Sequence, residues 1–129
     1  MTTTEDMLCE AAKKASRMAY APHSNFRVGA AVLTDRGVFS GCNVENASYG
    51  LTICAERSAV FSAVAGGARK VRKVAVYSGR KPAHPCGACL QVIREFASPE
   101  AVIILCSGGK KKKMRLGALL PQPFEMRRA

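Results

Sequence analysis

No apolar run among the 129 residues approaches the roughly 20 that a membrane-spanning helix needs, which excludes a helical integral membrane protein and makes a soluble chain the expectation. Low-complexity segments, linkers and internal repeats are also lacking, so solenoids and arrays drop out and one domain over residues 1–129 is expected. The start, Met1-Thr2-Thr3-Thr4-Glu5-Asp6, is polar and acidic, and no secretory leader is expected there. Acidic residues are few: 9 against 20 basic ones, a net charge of +11. Such an imbalance invites a nucleic-acid partner. The charge is scattered, however, over Lys13, Lys14, Arg17, Arg69, Lys70, Arg72, Lys73, Arg80, Lys81, Arg94, Arg115, Arg127 and Arg128. The single cluster, Lys110 to Lys113, follows Gly108-Gly109 as a turn would and reads as a hairpin tip that discourages sheet-to-sheet aggregation. No nucleic-acid partner is expected.

Cysteine is what the chain does have, with six residues. Nearly half the sequence is hydrophobic, enough for a core without staples, so reduced thiols and a cytoplasmic location are expected. Cys9, Cys42 and Cys106 fall in apolar runs and read as small buried side chains. Cys54, Cys86 and Cys89 differ. Cys54-Ala55-Glu56 and Pro85-Cys86-Gly87-Ala88-Cys89 offer three thiolates, the number that holds one zinc ion tetrahedrally while leaving a fourth position for water. Glu56 stands two residues from a ligand without being one. Ala55 to Val64 and Cys86 to Phe96 have helical periodicity, so Cys86 and Cys89 share a face and two helix N-termini converge on the metal, favouring thiolate. Arg57 beside the thiolates would offset their excess negative charge. A structural zinc site would need a fourth protein ligand, and no residue near the three cysteines supplies one.

Around this motif the chain reads as a helix capped by Thr3 or Thr4 and running to about Tyr20, with Met7, Leu8, Ala11, Ala15, Met18 and Ala19 as its buried stripe. A hairpin follows, Val28 to Thr34 and Val38 to Asn43. After the Cys54 helix come a strand Val71 to Ser78, the Cys86 helix, a strand Ala101 to Ser107, a short strand near Lys112 to Arg115, and a helical turn around Leu116 to Leu120. The order implies an α/β fold with a five-stranded mixed sheet covered on both faces, with sites gathered at strand carboxyl ends.

The spacing Cys-x-Glu…Pro-Cys-x-x-Cys is the signature of zinc nucleobase deaminases. Further runs resemble one branch of them, the small homotetrameric cytidine deaminases, over almost the whole chain: Tyr20-Ala21-Pro22 with Ser24-Asn25-Phe26, Val28-Gly29-Ala30-Ala31, Gly41 to Tyr49, Gln91-Val92, and Leu119-Leu120-Pro121 followed by Phe124. The resemblance implies the three-layer α/β/α domain of that family and one zinc per chain. It implies that Phe26 walls the pyrimidine, that Asn43 and Glu45 bind the ribose hydroxyls, and that the Ala55 backbone N–H holds the base. Tyr49 is implied as a further substrate contact, Gln91 with Arg57 as support behind the ligands, and Phe124 as the residue that closes a neighbour's pocket in a tetramer with shared sites. His23, His84 and Leu90 depart from the usual family pattern of Tyr, Ser and Arg, and both histidines read as peripheral.

The reaction implied is hydrolytic deamination of cytidine and 2′-deoxycytidine in pyrimidine salvage, with Glu56 accepting the proton of a zinc-activated water and delivering protons to N3 and to the leaving amine. A deaminase of a modified cytosine nucleoside, such as blasticidin S or an N4-substituted cytidine, is the alternative. Polynucleotide deaminases of the superfamily connect their last two strands by a helix and so lay them parallel. Ser107 to Lys111 is too short for such a crossover, and the last pair is expected to be an antiparallel hairpin.

Overall fold

The computed structural model describes residues 2–79 and 81–126. Arg80, Arg127 and Arg128, counted above in the scattered charge, lie outside the described residues.

Helix α1 (Thr4–Ser16) opens with a capping box: the Thr3 hydroxyl accepts from the Asp6 N–H and the Asp6 carboxylate accepts from the Thr3 N–H. It stops short of Tyr20. Arg17, Met18 and Ala19 donate to carbonyls three residues back, and Tyr20 then leaves the helix to pair with the segment at Val44, its N–H on the Asn43 carbonyl at 3.0 Å. Only Leu8, Ala12 and Ser16 of the helix are buried; the expected stripe members Met7 and Met18 are exposed. At the buried face α1 lies so close to the sheet that a Cβ on Gly29 would strike the Ala12 carbonyl and the Ser16 amide.

Strands β1 (Gly29–Thr34) and β2 (Gly37–Cys42) pair in register Thr34↔Gly37 across a two-residue turn, with Gly37 at φ 100°. Helix α2 (Ala55–Ala65), β3 (Val71–Tyr77), α3 (Gly87–Phe96), β4 (Val102–Ser107), β5 (Lys110–Arg115) and a last turn, α4 (Leu116–Leu119), follow. The sheet order is β2-β1-β3-β4-β5. Only β3 and β4 are parallel, and β4–β5 is the antiparallel hairpin expected from its short connection. The lysine run is not the hairpin tip, which Gly108 and Gly109 form with positive φ; Lys110 to Lys113 are the edge strand itself.

Alternation along the central strands divides the core in two. Ala30, Val32, Val74, Val76, Ile103 and Leu105 face α2 and α3, meeting Ala59, Val60, Ala63, Leu90 and Ile93. Ala31, Ala75 and Ile104 face α1, meeting Leu8 and Ala12. The result is the expected α/β/α layering. On the α1 side the structure corrects the cysteine reading: Cys9 and Cys106 form a disulfide with Cα atoms 6.0 Å apart, and the two are not free buried thiols. Cys106 lies two residues beyond Ile104 on the same strand face, and Cys9 borders the Leu8 contact. Helix packing brings together cysteines 97 residues apart. Glu5 then spans Lys73 of β3 and Lys113 of β5, and Asp6 pairs with Lys111, so the acidic first turn of α1 neutralises part of the lysine strand.

Candidate metal centre

Strands β2 and β3 both run antiparallel to β1 and finish at the same end of the sheet, where Cys42 and Tyr77 lie opposite Gly29. Helices α2 and α3 start at that end. Cys54 and Cys86 are their N-caps, both in extended conformation (ψ 156° and 169°), and Cys89 sits one turn into α3. The three Sγ atoms lie within 4.8 Å of one another, with Cys86 Sγ 3.3 Å from Cys89 Sγ. Thiol sulfurs packed this tightly fit a shared zinc ion bound at about 2.3 Å per sulfur. Two helix N-termini supply positive ends to the same spot.

The cluster is electrostatically tense. Hydrogen bonding from the Cys89 thiol, joined by Arg57, pulls the Cys54 thiol down to about 5, while that same bond and burial push Cys89 upward. One thiolate thus holds its neighbour's proton until a cation replaces it. Arg57 Nη2 lies 3.4 Å from Cys54 Sγ, as expected for a guanidinium that offsets thiolate charge, and its Nε is buried without a partner. Glu56 is 5% exposed in the first turn of α2. Burial, reinforced by the Cys54 charge, lifts its carboxyl to about 7.

A cavity of about 270 Å³ opens beside the thiols, and Phe26, Asn43, Glu45, Ala55 and Glu56 all line it together with Cys54 and Cys86. Asn43 and Glu45 also hold its walls in place. Asn43 Oδ1 accepts from the Val28 N–H at 2.9 Å while Nδ2 donates to the Phe26 carbonyl at 2.9 Å. Glu45 accepts from the His23 and Ser24 N–H groups at 2.8 and 3.0 Å and from the Ser24 hydroxyl, which together keep its carboxylate below the usual range, the hydroxyl contributing most. Ser24, itself a lining residue, was legible only as part of a longer run.

Three expected site residues lie outside this cavity, Phe124 among them as a residue expected to act in a neighbouring copy. Tyr49 is 73% exposed in a 3₁₀ turn (Tyr49–Leu51), edge-on to the His23 ring. Gln91 exchanges two hydrogen bonds with the Phe124 backbone, at 2.9 and 3.0 Å, and does not support the ligands. Phe124 is 74% exposed with its ring uncovered by its own chain. Conversely His84, expected to be peripheral, lines the cavity, and Leu90 is buried in the core beneath α3.

Three convergent thiols and a buried carboxylate that is not a ligand define a hydrolytic metal centre on an α/β/α scaffold. Residues 2–106 match the family model described as the cytidine and deoxycytidylate deaminase zinc-binding region. The chain is 42% identical over 123 residues to the cytidine deaminase of Sporosarcina psychrophila, covering 93% of this chain and 90% of that one. It is 45% identical over 121 residues to the cytidine deaminase of Halalkalibacterium halodurans, covering 92% of each. The crystal structure of cytidine deaminase from Burkholderia pseudomallei superposes with a TM-score of 0.88 at 50% identity, over 95% of this chain and 100% of that one. The chain belongs to the cytidine and deoxycytidylate deaminase family and is a zinc-dependent enzyme, with a Cys54, Cys86 and Cys89 cluster compatible with a single zinc ion.

Proposed function

We propose that this chain, as one catalytic domain over residues 1–129, hydrolyses cytidine and 2′-deoxycytidine to uridine and 2′-deoxyuridine with one zinc per chain, in pyrimidine salvage. The observation that carries the reading is Glu56: buried beside the three-thiol cluster, outside its ligand set, and open to the same cavity. Bound zinc supplies Lewis acidity that brings the pKa of a coordinated water toward neutrality. Glu56 would accept one proton of the attacking water and deliver it to N3, then accept the proton of the new C4 hydroxyl and pass it to the amine as the C4–N bond breaks, one carboxylate serving as base and acid in turn. Arg57 holds thiolate charge in check. Phe26 offers a face for the pyrimidine, and the Ala55 N–H, one of the unpaired amides of the first helical turn, offers a donor to the base. The oxygens of Glu45 and the amide of Asn43, fixed by the loop they anchor, present acceptors and a donor to the ribose diol.

A cavity of about 270 Å³ suits one small ligand, and the antiparallel β4–β5 pair supports a free nucleoside as substrate over a polynucleotide. No helix among the described residues is long and apolar enough to cross a membrane. A cytoplasmic site of action would keep the three thiol ligands unoxidised; the Cys9–Cys106 bridge, on the α1 side of the sheet, is the exception to that reduced state. The reading extends to a homotetramer with shared active sites: Met18, Tyr20, Tyr49, Leu51 and Phe124 are exposed large apolar side chains that a partner copy would cover, and the Gln91 clamp holds Phe124 out from its own core. Ammonia release from cytidine, 2′-deoxycytidine, cytosine, blasticidin S and a cytosine-bearing oligonucleotide tests the reading. Turnover of the two nucleosides well above the rest is expected; preference for blasticidin S or the oligonucleotide would overturn it.

A further inference from the structure

We propose that His84 sets specificity at the amino end of the pocket, rejecting cytosine nucleosides that carry a substituent on N4; this rests on the cytidine reading above. His84 and Cys86 are two apart in the segment leading into α3, and both line the cavity. Cys86 is extended (φ −75°, ψ 169°), and in extended chain residues two apart project to the same side. Pro85 between them is buried, its ring fixes its own φ, and it restricts His84 to extended backbone. The imidazole is thus carried on a stiff segment tied to a metal ligand.

The chemistry orients the substrate against it. Attack falls on C4 of the ring, so C4 and its amino group face the thiol cluster and Glu56, and the ribose lies toward Asn43 and Glu45. The wall beside the amine is then the segment that delivers Cys86: Ala83, small, and His84, a flat ring. A free amine fits beside an imidazole; an added methyl or larger group occupies the same space. His84 reads as peripheral in sequence because it lies outside the metal motif, but occupying the wall requires no metal bond.

The test compares kcat/KM for cytidine and N4-methylcytidine in the zinc-loaded parent and in His84→Ala and His84→Ser. Deleting a group that crowds one methyl is worth about tenfold in discrimination, so the ratio of N4-methylcytidine to cytidine efficiency should rise by about tenfold in both variants. General damage would lower both substrates together and leave the ratio alone. A parent active on cytidine whose variants shift the ratio by less than about threefold overturns the assignment of His84 alone. A parent inert toward cytidine overturns the substrate reading and this inference with it.

Discussion

Replacing Glu56 by Gln separates what the carboxylate does for chemistry from what it does to the fold. One oxygen becomes an NH₂ and the volume stays, so the cavity and the thiol cluster are undisturbed. In the zinc-free protein, holding a carboxyl at about 7 instead of its ordinary 4.5 costs its charged form about 3 kcal/mol. The folded-state value lies above the unfolded one, so the fold binds the proton more tightly, and this contribution is lost as pH rises from 4.5 through about 7. Gln carries no charge at any pH. Zinc-free Glu56→Gln should therefore exceed the parent by up to about 3 kcal/mol above neutrality and match it in acid below the ordinary carboxyl range. Turnover moves the other way. Loss of a general acid–base costs about 10²–10⁴-fold, or about 3–5 kcal/mol of barrier, with zinc content unchanged. Denaturant unfolding of zinc-free protein on either side of the titration, zinc analysis and ammonia release from cytidine read the three quantities. Zinc-loaded Glu56→Gln within about tenfold of the parent would refute the shuttle. Equal unfolding midpoints at alkaline pH would refute the burial argument.

Cys89→Ala should bind no stoichiometric zinc, since the two remaining thiols cannot close the site; full metal content in that variant would remove Cys89 from the ligand set. Cys9→Ser opens a loop of 97 residues. It should lower stability by about 2–4 kcal/mol in denaturant melts while leaving cytidine turnover unchanged, and equal stability under oxidising conditions would deny the bridge a structural role. Sedimentation should give a tetramer, and Phe124→Ala should raise KM for cytidine; a fully active monomer would sink the shared-site reading.

The metal centre was legible because its determinants are local. Cys86 and Cys89 are one helical turn apart and Cys54 and Glu56 straddle a helix start, so spacing fixes each pair, and the strand–helix order carries both helix starts to one end of the sheet. The β4–β5 hairpin was legible for the same reason: its loop is too short for anything else. What escaped depends on tertiary approach. Cys9 and Cys106 meet because α1 crosses the sheet at backbone contact over Gly29. Tyr20 leaves its helix because Val44 competes for its backbone, which no periodicity records. Gln91 and Tyr49 carry no local sign that one grips the C-terminal segment and the other points to solvent. His84 carries no local sign that it lines the cavity, since only the tertiary approach of the segment before α3 brings it there.

The two edges of the sheet are unlike. β2 ends it with Gly37, Val38, Phe39 and Ser40 and no charge, whereas β5 ends it with four consecutive lysines and an arginine. A second β5 laid antiparallel along the first would set cation against cation at nearly every rung, and like charges directly opposite destabilise a pair. Part of that repulsion is muted from within, by Asp6 on Lys111 and Glu5 on Lys113; among the described residues Lys110 and Lys112 make no such pair. The hem at β5 is therefore closed by charge, an ionic closure that salt loosens as the screening length shrinks from about 10 Å at 0.1 M toward 3 Å at 1 M. The hem at β2 is closed by nothing of the kind. Strand-to-strand joining of two copies is thus directional, barred on the lysine side and left to shape and packing on the other.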